Sequence, residues 1–398
     1  QYWFKDMAYI GNNKVVLFIR RDSNTCAAYV VSINPSTKAI TMGTGVDVTT
    51  AGEFCAVTWD PDNSKLLFAW RDTSSPYRGR LRHGTVSGTT ITLAGSEVYF
   101  PRISSQNEVK NIESVYDTNR NKHVIAFIYS ARSKVGSWFS VDSSGTSPTT
   151  NTCSDFTSEE MIDGWQEQYG MDFDSTTNRV VIAFQKNSTS ALRLVNGQCG
   201  SDGSMSVNGT YTTGPGVGTN HQRGIHLVFD ATVGKSYLFF LEGNNTYSQC
   251  RFLTTSSSSD AISQSSSVNV RTAVSNEIRG RSAFFDNGIG SVLCCVRRQN
   301  MSGNAQSVEA IRVDGMDVTS TLSDGQHYVG YADQAYTNGQ TATIKTVGNV
   351  AETLSGLTAG YKYYVQGDGT LATSTSTSGS PSCLAGVALS STKLLIRE

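Results

Sequence analysis

The sequence reads as an all-β chain, a six-bladed β-propeller followed by a small β-hairpin-rich module. Three observations lead to that class. An aromatic residue precedes aspartate at Trp59-Asp60, Tyr116-Asp117, Phe173-Asp174, Phe229-Asp230 and Phe285-Asp286, the pairs lying 57, 57, 56 and 56 residues apart. Each pair closes an apolar or alternating run, is followed by a polar turn, and leads into a second apolar run. One period holds four strand signals, which fits a propeller blade and not the helix pairs of a solenoid.

The unit from 52 to 100 gives the elements in order. Phe54-Cys55-Ala56-Val57-Thr58-Trp59 reads as a strand, Asp60-Pro61-Asp62-Asn63-Ser64 as a turn, and Leu66-Leu67-Phe68-Ala69-Trp70 as a second, buried strand. Arg80 to Val86 makes a third, and Ser87-Gly88-Thr89 turns the chain into Ile91-Thr92-Leu93, the fourth. The second-strand pattern recurs at 124–127, 181–184, 237–240 and 293–296. A base stands at the turn exit in Lys65, Lys122, Arg179 and Lys235, with Ser291 in the fifth copy. A diverged first unit, Gly11-Asn12-Asn13-Lys14 leading into Val15 to Ile19, lacks the aromatic-Asp pair. Six such units occupy residues 1–322, and a closed ring of them leaves no open sheet edge.

Asp60, Asp117, Asp174, Asp230 and Asp286 are expected to be structural turn residues, because an aspartate side chain accepts backbone N–H groups two residues on. The loops after Asp117 and Asp174 hold one carboxylate each, too few for a tight calcium site, so no metal is expected. No cofactor motif is present either. Only 16% of residues are charged and the net charge is −1, which argues against a nucleic-acid or membrane-surface binder. No apolar run is long enough for a membrane-spanning helix. The chain begins at Gln1, as a processed protein or a piece of a longer one would. The eight cysteines show no CxxC spacing; Cys153 and Cys199 could bridge neighbouring blade edges, or the set could be buried thiols.

Residues 323–398 break the repeat and carry Asn338-Gly339 and Asp368-Gly369, both hairpin turn signals. The text LSGLTAGYKYYVQGDGTL followed by AGVALSSTKLLI resembles a small β module of tailed-bacteriophage fibres and surface decorations. The repeat array is also similar to propellers of large phage-encoded or surface-secreted proteins. The resemblance implies a virion or extracellular location and a non-enzymatic, tail-fibre-like appendage protein. Its partners would be a cell-surface glycan or protein receptor and other virion or appendage subunits, in a homo-oligomer. An extracellular filament subunit assembling head-to-tail and a secreted propeller glycoside hydrolase are the alternatives.

Seven residues before each motif aspartate stand Glu53, Lys110, Glu167, Arg223 and Arg279, all charged. With Glu113, His226 and Arg281 on the same strands, they are expected to ring one mouth of the central channel. There the arginines could hold the carboxylate or sulfate of an acidic glycan while the glutamates accept sugar hydroxyls. The same charges could instead pair with one another where the strands converge. A glycosidase would need two of the carboxylates about 5 to 10 Å apart; Glu53, Glu113 and Glu167 are the candidates by position.

Overall fold

The computed structural model describes residues 3–37, 39–74, 76–101, 108–130, 132–162, 169–189, 191–209, 212–216, 225–231, 233–242, 247–265, 268–272, 278–286, 291–299 and 306–313 of a first compact unit. In a second unit it describes 331–332, 334, 343–352, 354–365, 371–374 and 384–397. The division falls between Gly315 and Met316. No helix occurs among the described residues.

The described residues of the first unit form six antiparallel sheets in succession. Sheet one comprises β1 (Trp3–Gly11), β2 (Lys14–Arg20), β3 (Cys26–Ile33), and β4 (Ile40–Met42) and β5 (Val46–Thr49), which both pair with β3. Sheet two is the meander β6 (Gly52–Asp60), β7 (Lys65–Asp72), β8 (Gly79–Ser87) and β9 (Thr90–Tyr99). Sheet three holds β10 (Val109–Asp117), β11 (Lys122–Tyr129), β12 (Val135–Asp142), β13 (Thr149–Thr150) and β14 (Ser154–Glu160). Sheet four holds β15 (Tyr169–Asp174), β16 (Arg179–Gln185), β17 (Ala191–Cys199), β18 (Met205–Val207) and β19 (Thr212–Gly216). Sheet five holds β20 (His226–Asp230), β21 (Lys235–Glu242), β22 (Tyr247–Thr255), β23 (Ile262–Gln264) and β24 (Val268–Thr272). Sheet six is β25 (Ile278–Asp286), β26 (Ser291–Gln299) and β27 (Gln306–Val313). The first strands of successive sheets pack side by side from β1 through β25.

The second strands of sheets two to five read as continuous apolar runs because both of their faces are covered. Successive side chains point to opposite faces, and in β7 Leu66, Phe68 and Trp70 join the layer against sheet one while Leu67 and Ala69 join the layer against sheet three. In β11 Ile125 and Phe127 face sheet two, whereas Val124, Ala126 and Ile128 pack with Met171, Ile182 and Phe184 of sheet four. Val181 and Ala183 continue the scheme toward Leu238 and Phe240 of sheet five. The core is therefore a series of intersheet layers.

Turn chemistry accounts for the aromatic-Asp repeat and for its absence at the start. Asp60 Oδ1 accepts the N–H groups of Asp62 and Asn63 at 2.9 and 3.0 Å, and Asp117 and Asp174 repeat the pair on Asn119 and Arg120, and on Thr176 and Thr177. Asp230 accepts from Val233 at 3.4 Å. The residue before the base is left-handed in each turn, Ser64 (φ 50), Asn121 (φ 52), Asn178 (φ 57) and Gly234 (φ 62). In sheet one the hairpin is two residues long, Asn12 and Asn13 at φ 52 and 57, the conformation of a type I′ turn that needs no aspartate. Asp286 ends β25 in register with Ser291.

The second unit contains β28 (Tyr331–Ala332), β29 (Ile344–Lys345), β30 (Val350–Ala351), β31 (Lys362–Val365), β32 (Leu371–Ala372), β33 (Leu384–Ala388) and β34 (Leu394–Ile396). The last five form one sheet in the order β30-β34-β33-β31-β32 around Leu357, Tyr363, Val365, Ala385 and Ile396.

The suggested Cys153–Cys199 bridge is corrected. Both are thiols, and they lie in different intersheet layers, Cys153 between sheets two and three and Cys199 between sheets three and four.

Candidate functional site

A bulge recurs near the start of the inner strands. One extra residue sits between Phe4 and Asp6 in β1, Glu53 and Ala56 in β6, Lys110 and Glu113 in β10, and Arg279 and Arg281 in β25. Phe54 (φ 52) and Asn111 (φ 47) take left-handed backbone there. A bulge bends its strand and re-aims the side chains beside it, so these inner strands change course at the same level, where the charged residues lie.

Glu53, Lys110 and Arg279 all stand on the near side of this bulge, opposite Arg71, Ile128 and Arg297, the seventh residue of each second strand. Arg20 holds the same seventh position in β2. Register thus places Arg20, Arg71 and Arg297 at equivalent steps of sheets one, two and six. Glu113 and His226 lie beyond the bulge level, opposite Ala126 and Phe239, at the step that Asp6 occupies in β1. Arg281 pairs with Val296. Glu167 and Arg223 lie outside the described residues.

Two of the sequence candidates meet in one cluster. Glu53 is buried and ion-paired to Arg71 Nη2 through Oε1, while its Oε2 receives Arg20 Nη1 at 3.3 Å. Arg71 Nη1 reaches Glu108 Oε1 at 3.4 Å, and Lys110 Nζ lies 3.6 Å from the same oxygen. The Arg71 guanidinium also lies over the rings of Phe54 at 4.7 Å and Tyr77 at 5.3 Å, contacts that hold its plane. Among the described residues, the buried Nε atoms of Arg20 and Arg71 have no hydrogen-bond acceptor. The Glu108 side chain is 35% exposed against 9% for Glu53, so Glu108 is the carboxylate facing solvent.

Glu113 stands apart from this cluster, next to Tyr169 of β15. Burial, and then the Glu113 charge, push the Tyr169 hydroxyl well above its ordinary value, and it donates to the Asn111 carbonyl. It is a structural tie across sheets three and four. His226 is half-buried at the start of β20.

The opposite strand ends carry a second polar set. Tyr116 OH donates to Asp60 Oδ1 at 2.8 Å, joining sheets three and two, and Thr58 Oγ1 meets His123 Nδ1 at 2.6 Å. Burial drives His123 down to about 3, so its ring is neutral. Lys65 Nζ donates to the carbonyls of Ser143, Ser144 and Gly145 in sheet three, and Arg179 pairs with Asp260 of sheet five at 2.7 Å. The repeated base at the turn exit is thus a tie between sheets in these two copies; Lys122 instead pairs with Asp142 of its own sheet. Among the described residues no three His, Cys, Asp or Glu side chains converge as metal ligands would.

Sequence reasoning missed Arg20, Arg71 and Glu108. It followed the inner strands, whereas these residues end second strands or precede β10; the repeated arginine seven places into the second apolar run was the signal that could have found two of them.

No family model and no curated protein matches the chain. Solved structures do. It aligns with a structure described as NanB plus Optactamide at TM-score 0.51 and 8% identity, over 79% of this chain and 68% of that one. A candidate 6-phosphogluconolactonase from Bacteroides uniformis aligns at TM-score 0.49 and 10% identity over 78% and 85%. The hemagglutinin-neuraminidase of Parainfluenza Virus 5 aligns at 0.46 and 10% over 78% and 90%. At these identities the likeness is one of fold, and the fold is a β-propeller.

The expectation of a non-enzymatic, tail-fibre-like appendage protein is corrected: the likeness found is one of propeller fold, and nothing in it points to a phage fibre or a filament subunit. The periodic pattern, the second of the two matches behind the phage resemblance, is a property of propeller turns, as the aspartate turns above show, and carries no functional information.

Proposed function

We propose that the chain is a propeller glycoside hydrolase acting outside cells on an acidic glycan, with its site where Glu53, Glu108, Arg20, Arg71 and Lys110 converge. One observation carries this reading: a single guanidinium, that of Arg71, spans two carboxylates, Glu53 on Nη2 and Glu108 on Nη1. Contacts on both terminal nitrogens of one guanidinium keep the two contacting carboxylate oxygens no more than about 8 Å apart, an upper limit compatible with the spacing glycosidases use. Glu53, buried between two arginines, is placed to oppose positive charge developing at the anomeric carbon. Glu108, toward solvent, is placed to give a proton to the leaving oxygen and to take one from water. The guanidinium of Arg20, about a quarter exposed, supplies the positive charge for the sugar's carboxylate or sulfate. Tyr77, 42% exposed beside Arg71, offers the apolar face on which a sugar ring can rest. A surface with few charges and many hydroxyls supports the extracellular location.

The test is release of the aglycone from a panel of chromogenic acidic and neutral glycosides by the wild type, Glu53→Gln and Glu108→Gln. Turnover confined to acidic substrates, falling at least about 100-fold in each variant, supports the reading. Wild-type protein that is folded and turns over no acidic glycoside, or variants as active as the wild type, overturns it.

A further inference from the structure

We propose that Cys26 and Cys55 form a disulfide that staples the first sheet to the second directly behind the charged cluster. Cys26 opens β3, in register with Arg20 on one side and Thr49 on the other. Cys55 lies within the bulge of β6, two residues from Glu53. Both are thiols in this structure, with their Sγ atoms 2.7 Å apart, nearer than two unbonded sulfur atoms rest against each other and a small side-chain adjustment from the about 2.05 Å of a bond. Both are at most 1% exposed, in an apolar layer with Val48, Phe68 and Trp70. Gly52 makes the approach possible, since a Cβ there would come within 2.8 Å of Cys26 Sγ.

Other buried thiols of the first unit are placed differently. Cys153 and Cys199 turn their sulfur toward the carbonyl of the next residue, at 4.0 and 3.6 Å. Sulfur-to-sulfur contact therefore distinguishes Cys26 and Cys55 from these two. A bond between them would fix Arg20, across from Cys26, against Glu53, beside Cys55, and would close a loop over the 29-residue separation of the two cysteines.

The bond forms by exchange with a low-molecular-weight disulfide such as glutathione disulfide. One cysteine thiolate attacks a glutathione sulfur, forming a mixed disulfide and releasing one glutathione. The second cysteine thiolate attacks the protein-side sulfur and releases the other. Two electrons pass from the cysteine pair to the glutathione disulfide, and the two cysteine protons end on the two released thiols. Because both sulfurs are buried once the sheets have packed, the exchange takes place during folding.

The experiment refolds the full chain in a glutathione redox buffer, unfolds it without reductant in the presence of iodoacetamide, and maps the tryptic peptides by mass. The expected product is Asp22–Lys38 joined to Ala39–Lys65, about 2 Da below the sum of the two thiol peptides, with Cys153 and Cys199 alkylated. Recovery of both peptides with alkylated cysteine overturns the proposal. As a second readout, dithiothreitol is expected to lower the urea midpoint of the refolded wild type and leave that of Cys26→Ala/Cys55→Ala unmoved. A wild-type midpoint that ignores the reductant contradicts the proposal. Neither readout depends on catalytic activity, so this inference and the proposed function fail separately.

Discussion

Asp172 and Phe229 join two sheets through one carboxylate. Asp172 Oδ2 accepts the Phe229 backbone N–H on the inner strand of the next sheet, while Oδ1 accepts the N–H of Phe173 at 2.7 Å. Asp6 does the same between sheets one and two, taking the Val57 N–H on Oδ2 at 2.8 Å and the Met7 N–H on Oδ1 at 2.8 Å. In each case the carboxylate satisfies a backbone donor on the inner edge of a neighbouring sheet, where no further strand pairs.

Burial raises Asp172 to about 6, against an ordinary value of 3.8, despite those two hydrogen bonds. Between the two values the folded chain keeps a proton that the unfolded chain has lost. Stability from this group is therefore complete below about pH 4 and declines as pH rises through about 6, by up to about 3 kcal/mol. Urea midpoints of the wild type and Asp172→Asn across pH 4 to 8 check this. The wild type should lose stability relative to the variant on going from pH 4.5 to 7.5; parallel profiles would show that Asp172 is not the titrating group.

Asp60 is a hub because three donors share one oxygen, the N–H groups of Asp62 and Asn63 and the Tyr116 hydroxyl. Asp60→Ala should cost about 1–3 kcal/mol, since three donors lose their shared acceptor, and Tyr116→Phe about 1 kcal/mol. The two should couple by about 1 kcal/mol in a double-mutant cycle of urea denaturation. Simple additivity would mean that the intersheet bond contributes nothing.

Lys65 crosses from sheet two to three consecutive carbonyls at the end of β12 in sheet three. Lys65→Met keeps the aliphatic stem and removes the donors. A loss of about 1–3 kcal/mol is expected, with faster amide exchange in residues 143–146 than in the wild type. Unchanged exchange there would contradict the tie.

Much of this architecture was legible because it is local. Asp60, Asp62 and Asn63 specify a turn within a few residues, and the run from Leu66 to Trp70 announces a strand covered on both faces. Counting seven back from the motif aspartate also aligned Glu53, Lys110 and Arg279 correctly in register, since each strand carries the same extra residue at its bulge. What the charges do was not legible. Glu53 meets Arg20 from 33 residues upstream and Arg71 on the adjoining strand, and Glu108 joins them from the loop entering sheet three. Such encounters depend on how sheets pack, which no period in the sequence records. The contact between Cys26 and Cys55, on different sheets, was hidden for the same reason.

The most direct test of the proposed site is the ratio of kcat/KM for an acidic aryl glycoside to that for its neutral counterpart, in the wild type and in Arg20→Gln. Arg20 is less buried than Arg71 and shares Glu53 with it, so the variant keeps one arginine on the buried carboxylate. The account predicts that the wild type prefers the acidic substrate and that the variant loses that preference by about 10- to 100-fold, with neutral hydrolysis little changed. An equal loss on both substrates, or a wild type indifferent to substrate charge, would contradict it.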